Sequence, residues 1–259
     1  MSATDSAETR PTSPAPSQVS PWQVATVEAV TTETYRARTV HVSVPTRPPF
    51  RPGQHVDVRL TALDGYQAQR SYSIASAPDI VAGFDLTVEL VEDGEVSSWF
   101  HQIAEPGDTF ELRGPIGGPF TWSVEDDGPI MLIAGGSGVV PLMSMLRHRR
   151  ARKNLTPALL IYSSRTIDDV IYRDELESLA GADGLDVLHT LTRSQPSGWP
   201  GYARRVDDGI LGDALDRLGK PRHAFVCGPT PFVENVAAGL VRHGIDARHV
   251  RTERFGPSG

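Results

Sequence analysis

Arg70-Ser71-Tyr72-Ser73 gathers three kinds of chemistry: a guanidinium that can pair bidentately with phosphate, a ring that can lie against a planar heterocycle, and a hydroxyl that can bond a ring nitrogen or carbonyl. Strand alternation sends Arg70 and Tyr72 to one face together. An ordinary half-exposed strand end can carry the same four residues, so their meaning depends on what accompanies them. Gly135-Gly136-Ser137-Gly138 follows an apolar run and precedes a helix expected to open near Pro141. Glycines allow a backbone to approach a pyrophosphate, and a helix N-terminus offers unpaired N–H groups and partial positive charge. The full three-glycine dinucleotide fingerprint is missing, because Pro141 stands where the last glycine would, and a plain strand–helix turn uses the same residues. Gly94-Glu95-Val96-Ser97 opens another helix, Gly114-Pro115-Ile116-Gly117-Gly118 forms a second glycine-rich stretch, Cys227-Gly228-Pro229 closes a strand, and Glu253-Arg254-Phe255 joins a carboxylate to an aromatic near the C-terminus.

Two kinds of element must position these residues. Over 22–124 short strands are separated by turn residues: residues 84–91 put Phe84, Leu86, Val88 and Leu90 on one face and Asp85, Thr87 and Glu89 on the other, and 55–60 repeats the alternation through Val56, Val58 and Leu60. Pro52-Gly53, Asp64-Gly65, Asp93-Gly94 and Pro106-Gly107 punctuate the strands at intervals suited to a small antiparallel barrel, with one helix over 96–103. The pattern changes at Glu125-Asp126-Asp127-Gly128-Pro129, where a domain boundary is expected. Beyond it, over 125–259, buried strands at 130–134, 158–163, 185–191, 223–227 and 249–252 alternate with helices at 141–149, 170–179, 210–218 and 231–243. That order predicts a doubly wound, mostly parallel α/β sheet with ligands at the carboxyl ends of its strands.

Composition narrows the possibilities. The 259 residues, 39% hydrophobic, 22% charged and 7% aromatic, suit two globular domains. The single cysteine, Cys227, excludes a disulfide framework and a self-contained iron–sulfur or structural zinc site. Eight histidines show no paired metal spacing, so no metal is assigned, and the missing G-x-S-x-G elbow leaves a hydrolase without a nucleophile. A net charge of −7 gives no reason to bind nucleic acid. No window approaches the roughly 20 apolar residues of a membrane span. Residues 1–21, rich in Ser, Thr, Pro and Ala, read as a disordered tail without a signal peptide, which makes the cytoplasm the expected compartment.

Together, in this order and in these halves, the motifs between about Trp22 and Gly256 resemble the ferredoxin–NADP reductase family of flavoproteins. The resemblance implies a β-barrel that binds FAD over 22–124 and an NAD(P)-binding α/β domain over 125–259. It implies Arg70 on the flavin diphosphate, Tyr72 against the flavin, Ser73 near its reactive N5, Ser71 within the same motif, and Gly94, Val96 and Ser97 receiving the FAD pyrophosphate. Gly135, Gly136 and Ser137 correspond to the nicotinamide-nucleotide pyrophosphate loop, and Cys227, Gly228 and Pro229 to the motif beside the nicotinamide. Cys227 is otherwise a small buried hydrophobe; its implied contribution is positional, not nucleophilic. Glu253 and Phe255 resemble the terminal E-x-aromatic, with Ser73, Cys227 and Glu253 as the catalytic set. Here Gly256-Pro257-Ser258-Gly259 continues past the aromatic.

The implied function is hydride transfer from NAD(P)H to bound FAD and electron transfer onward to an external acceptor, such as a ferredoxin or an oxygenase component. With one cysteine and a sequence ending at Gly259, no fused ferredoxin is expected. The alternatives are a non-catalytic flavin or nucleotide sensor and an electron-transfer subunit of a larger complex, such as the dihydroorotate-dehydrogenase type. NADPH is expected over NADH, because Arg165, Thr192-Arg193 and Arg204-Arg205 follow the second and third strands of the α/β half, of which Arg165, Arg193 and Arg205 are the candidates for a 2′-phosphate. Asp168 and Asp169 could bind a ribose 2′-hydroxyl instead. The basic run Arg147, His148, Arg149, Arg150, Arg152 and Lys153 reads first as charge complementing a helix C-terminus and second as an attractor for an acidic acceptor.

Overall fold

In a strand whose alternate residues are apolar, one face must be buried, and the first half of the chain meets that demand by rolling up. The computed structural model describes residues 20–79 and 83–256; most of the expected N-terminal tail and residues 257–259 lie outside them. Strands β1 (Gln23–Thr34), β2 (Ala37–Ser43), β3 (His55–Thr61), β4 (Gln67–Ser73), β5 (Phe84–Glu89) and β6 (Thr109–Ile116) form an antiparallel sheet in the order β4-β3-β6-β1-β2-β5. The two edge strands meet through a bridge between Ile74 and Leu86, which closes the barrel. Val56, Val58, Phe84, Leu86, Val88 and Leu112 fill it. Helix α1 (Glu95–Gln102) inserts Val96 and Phe100 into the same core.

The second half forms the expected five-stranded parallel sheet, from β7 (Ile130–Gly135), β8 (Ala158–Ser164), β9 (Leu185–Leu191), β10 (His223–Pro229) and β11 (Val250–Phe255), in the order β11-β10-β7-β8-β9. Both faces are covered, which is why its central strands are almost continuously apolar. Ile130, Leu132 and Ala134 pack toward α2 (Val139–Ala151) and α3 (Arg173–Leu179); Met131 and Ile133 pack toward α4 (Asp208–Leu218) and α5 (Thr230–Arg242).

Several boundaries differ from the sequence reading by a few residues, two of them for a clear local reason. Helix α2 begins at Val139, two residues before Pro141, because a 3-10 turn over Gly136–Gly138 leads directly into it. Helix α3 begins at Arg173 instead of residue 170: Tyr172 is left-handed, with φ 58°, and breaks the helical path. Before it, Thr166 and Asp169 cap a separate 3-10 turn, Ile167–Asp169.

The two halves pack against each other through a shared core. Phe120 and Trp122, which follow the last barrel strand, and Ala37 and Ala75 of the barrel join the core formed with α2 and α3. Ser144 donates to Ser76 O at 2.6 Å, Arg147 to Ala75 O at 2.8 Å and Arg251 to Thr121 O at 2.5 Å. Thr87, on the outward face of β5 by alternation, is only 4% exposed, and Tyr172, just before α3, bonds its hydroxyl.

Candidate active site

A cleft of about 1350 Å³ runs between the barrel and the carboxyl ends of the parallel strands. Its barrel wall includes Arg70, Ser71, Tyr72 and Ser73 from β4 and Gly94, Val96 and Ser97 at the start of α1. Its other wall includes Gly135, Gly136 and Ser137, then Arg165, Thr192 and Arg205, with Cys227, Pro229 and Phe255 at the β10–β11 end. Residues from separate motifs thus line one continuous space.

On the barrel wall, Arg70 is exposed and gives one guanidinium N–H to the Gln69 carbonyl at 2.7 Å; among the described residues it has no carboxylate partner. Tyr72 is half-buried, its ring edge-on to Phe100 with centroids 5.8 Å apart, and burial pushes its phenol well above the ordinary range. The Ser71 hydroxyl turns to Asp57 at 2.6 Å, which also accepts from Arg113, so that side chain is occupied within the barrel. Ser97 Oγ accepts from Val91 N at 3.2 Å and donates to Gly94 O at 3.0 Å. Its hydroxyl therefore shapes the turn into α1. The first N–H groups of that helix have no intrahelical acceptor and are available to an anion.

Across the cleft, β7 passes through the glycine turn into α2 without a side-chain cap. Gly136 adopts φ 57°, the left-handed region. A side chain at Gly138 would place its Cβ 2.1 Å from Cys227 O, so only glycine lets the start of α2 seat against β10.

Cys227 lies beside Ala134 on one neighbouring strand and Glu253 on the other. Burial, then the Glu253 carboxyl, push its thiol up, which keeps it neutral and fits a positional role. Glu253 Oε2 is buried with no hydrogen-bond partner among the described residues, and burial raises the carboxyl to about 7. The nearest base is His55, whose Nδ1 is 4.0 Å from Oε1; burial lowers the imidazole, against the raising influence of Asp57. Glu253 and Gly228 do not line the cleft itself, although residues flanking each of them do.

The ends of β8 and β9 are tied together: Thr192 N and Oγ1 both donate to Ser164 O, at 3.0 and 3.2 Å, and Arg193 N donates to Arg165 O at 2.8 Å. Arg165 and Arg205 line the cleft with Thr192, but the exposed Arg193 does not. Arg204 is held by Asp207 at 2.6 Å and lies over the Tyr202 ring. Asp169 Oδ2 accepts from Thr166 N and Oγ1 at 3.0 and 2.7 Å, which holds the side chain in a local cap.

The basic run is engaged within the protein, in line with a local role over docking. Arg147 pairs with Glu175, His148 with Asp79 at 2.5 Å, and Arg149, 3% exposed, donates to the Thr156 and Asp183 carbonyls. Arg152 adds a longer contact to Asp79 at 3.8 Å, so four of the six side chains engage the protein itself and do not form a docking patch.

Several cleft residues were not singled out from the sequence: Arg36, Phe232, Asn235 and Arg254. None carries a local signal, since each reaches the cleft only through the topology. Among the described residues no cluster of His, Cys, Asp and Glu could hold a metal ion, and no helix is long and apolar enough to cross a membrane.

An oxidoreductase FAD-binding domain family matches residues 23–121, and an oxidoreductase NAD-binding domain family matches 132–238. A protein named ferredoxin–NADP reductase B from Sorangium cellulosum is 38% identical over 213 residues, covering 80% of this chain and 85% of that protein. The glycine betaine monooxygenase reductase subunit of Chromohalobacter salexigens is 34% identical over 214 residues, 80% of this chain; the chain spans little more than half, 56%, of that subunit's length. Among solved structures, an Amycolatopsis cytochrome P450 reductase superposes with a TM-score of 0.79 at 26% identity, covering 92% of this chain and 71% of that one.

Proposed function

We infer that this chain, which belongs to the ferredoxin–NADP reductase family of flavoproteins, is an oxidoreductase that takes electrons from NADPH through bound FAD and delivers them to an external acceptor. The observation that carries this reading is the single cleft joining Arg70–Ser73 and the start of α1 to Gly135–Ser137 and Cys227. Such a space suits two cofactors laid end to end across a domain junction.

The residues present fit FAD. The unpaired N–H groups at the start of α1, with Arg70 nearby, suit a diphosphate, which FAD has and FMN lacks. Bound FAD supplies the junction between two-electron nicotinamide chemistry and one-electron acceptors. The chain's own residues bind and orient. Tyr72, braced by Phe100, gives a flat wall, and Ser73 offers a hydroxyl beside it. Phe255 covers the opposite end. Neutral Cys227 acts as a spacer, and Glu253, titrating near neutrality, can hold or release a proton without a change of fold.

For the dinucleotide, the start of α2 would take the pyrophosphate, while Arg165 and Arg205, without carboxylate partners among the described residues, would take a 2′-phosphate. Two such guanidinium groups on the cleft wall favour NADPH over NADH. A ferredoxin or an oxygenase component is the acceptor proposed, in line with the names of the relatives. Steady-state reduction of a ferredoxin by the FAD-loaded protein, with NADPH and NADH compared by kcat/KM, tests this. A higher value for NADPH is expected; a higher value for NADH would overturn the nucleotide assignment, and a protein that does not retain FAD would overturn the function.

A further inference from the structure

Tyr172 is a buried tyrosine in a backbone conformation that residues with a Cβ rarely adopt, at φ 58° and ψ 33°. Nothing in the cofactor chemistry described above uses it. Its hydroxyl bonds Thr87 of the barrel, Thr87 bonds Thr39 at 2.8 Å, and Thr39 donates to Glu33 at 2.6 Å. The direction of this chain follows from its end. A carboxylate only accepts, so Thr39 spends its hydrogen on Glu33, Thr87 donates to Thr39, and Tyr172 donates to Thr87. The ring is held as well: Arg147 lies over it at 4.6 Å, donates to Glu175 of α3 at 2.9 Å and reaches the barrel at Ala75 O at 2.8 Å.

The position of this contact gives it a consequence. Asp169 and Ile171, immediately before Tyr172, line the cleft on the side of Arg165, and Thr87 lines the barrel wall of the same cleft. Ile171 N is in turn bonded to the buried Tyr162 hydroxyl at 3.1 Å, so the segment has no slack on its sheet side. One hydroxyl thus spans the two walls where the adenosine end of a dinucleotide would lie. We propose that Tyr172 is a positioning residue for the dinucleotide site: its bond to Thr87 sets the separation of the 165–171 segment from the barrel and thereby shapes the adenosine subsite. This rests on the function proposed above.

The test uses the FAD-loaded protein and two variants, Tyr172→Phe, which keeps the ring, and Thr87→Val, which removes the acceptor. Binding of 2′,5′-ADP, the adenosine fragment of NADP, is measured by calorimetry, together with FAD content and the NADPH kinetics. The lost Tyr172–Thr87 bond should weaken 2′,5′-ADP about three- to tenfold in Tyr172→Phe and at least as much in Thr87→Val, which also loses the bond to Thr39, and the double variant should bind no more weakly than Thr87→Val. KM for NADPH should rise with kcat and FAD content unchanged. Unchanged 2′,5′-ADP affinity in the variants, or loss of FAD in place of nucleotide affinity, overturns the proposal. If Tyr172→Phe does not fold, Thr87→Val breaks the same bond and decides the question alone. A wild-type protein that holds FAD but does not bind 2′,5′-ADP overturns the NADPH assignment and this inference with it, whereas normal wild-type binding with indistinguishable variants overturns only this one.

Discussion

Replacing Glu253 with Gln should make the fold less sensitive to alkaline pH. The carboxyl has one oxygen buried without a partner, and burial raises it from 4.5 to about 7. Between those values the folded protein keeps a proton that the unfolded chain has released. The group's stabilising contribution is therefore complete below about pH 4.5 and is lost as pH rises through 7. A shift of this size corresponds to at most about 3 kcal/mol. The side chain is 28% exposed, and solvent screening brings the expected effect to about 1–2 kcal/mol. For a chain of this size that is a few degrees of Tm, at about 2–4 °C per kcal/mol. Glutamine has nearly the same shape and cannot ionise, so it should match the wild type at pH 5 and exceed it in Tm at pH 8. The neighbouring titratable groups do not work against this: burial lowers His55 and pushes Cys227 up, so both are biased toward their neutral forms. Thermal unfolding of flavin-free wild type and Glu253→Gln across pH 5–8.5 measures the difference directly. Parallel curves, with no gap opening above pH 6.5, would refute the assignment of a buried, proton-holding carboxyl to this position.

Five other substitutions separate local roles. Arg70→Ala should weaken FAD by roughly ten- to a hundredfold, the size of a lost charge-assisted contact of about 1.5–3 kcal/mol, while the Tm of flavin-free protein stays unchanged; FAD content after gel filtration checks the first and thermal unfolding the second. Arg165→Ala or Arg205→Ala should raise KM for NADPH about tenfold or more and spare NADH, whereas Arg193→Ala should alter neither by more than about twofold, as a solvated cation outside the cleft. Gly138→Ala should cost about 1–3 kcal/mol in urea unfolding, because its Cβ meets the Cys227 backbone and α2 must shift; a wild-type midpoint would contradict that packing.

Much of this was legible in the chain itself. The strands of both halves appear as a period of two or as buried runs, and the residues able to handle phosphates and rings could be named from their types alone. What escaped was decided by distant contacts. Arg165 and Arg193 look equivalent as polar–arginine pairs after successive strands, yet Arg165 lines the cleft and Arg193 is not among the residues that line it. The run from Arg147 to Lys153 looks like a charged surface because Glu175, Asp79 and the Asp183 carbonyl, which engage four of its members, lie about 30 to 70 residues away. Thr87 reads as solvent-facing until Tyr172 covers it, and no neighbour of Tyr172 announces a left-handed backbone. Local periodicity finds elements; it does not find which long side chain reaches across a domain junction.

Anaerobic titration of the purified protein with NADPH, followed by its visible absorbance, tests the central claim most directly. The expected result is a yellow protein whose flavin bands bleach with one equivalent of NADPH per bound FAD and return when a one-electron acceptor is added. A colourless protein that takes up no FAD, or bound flavin that neither NADPH nor NADH reduces, would contradict it.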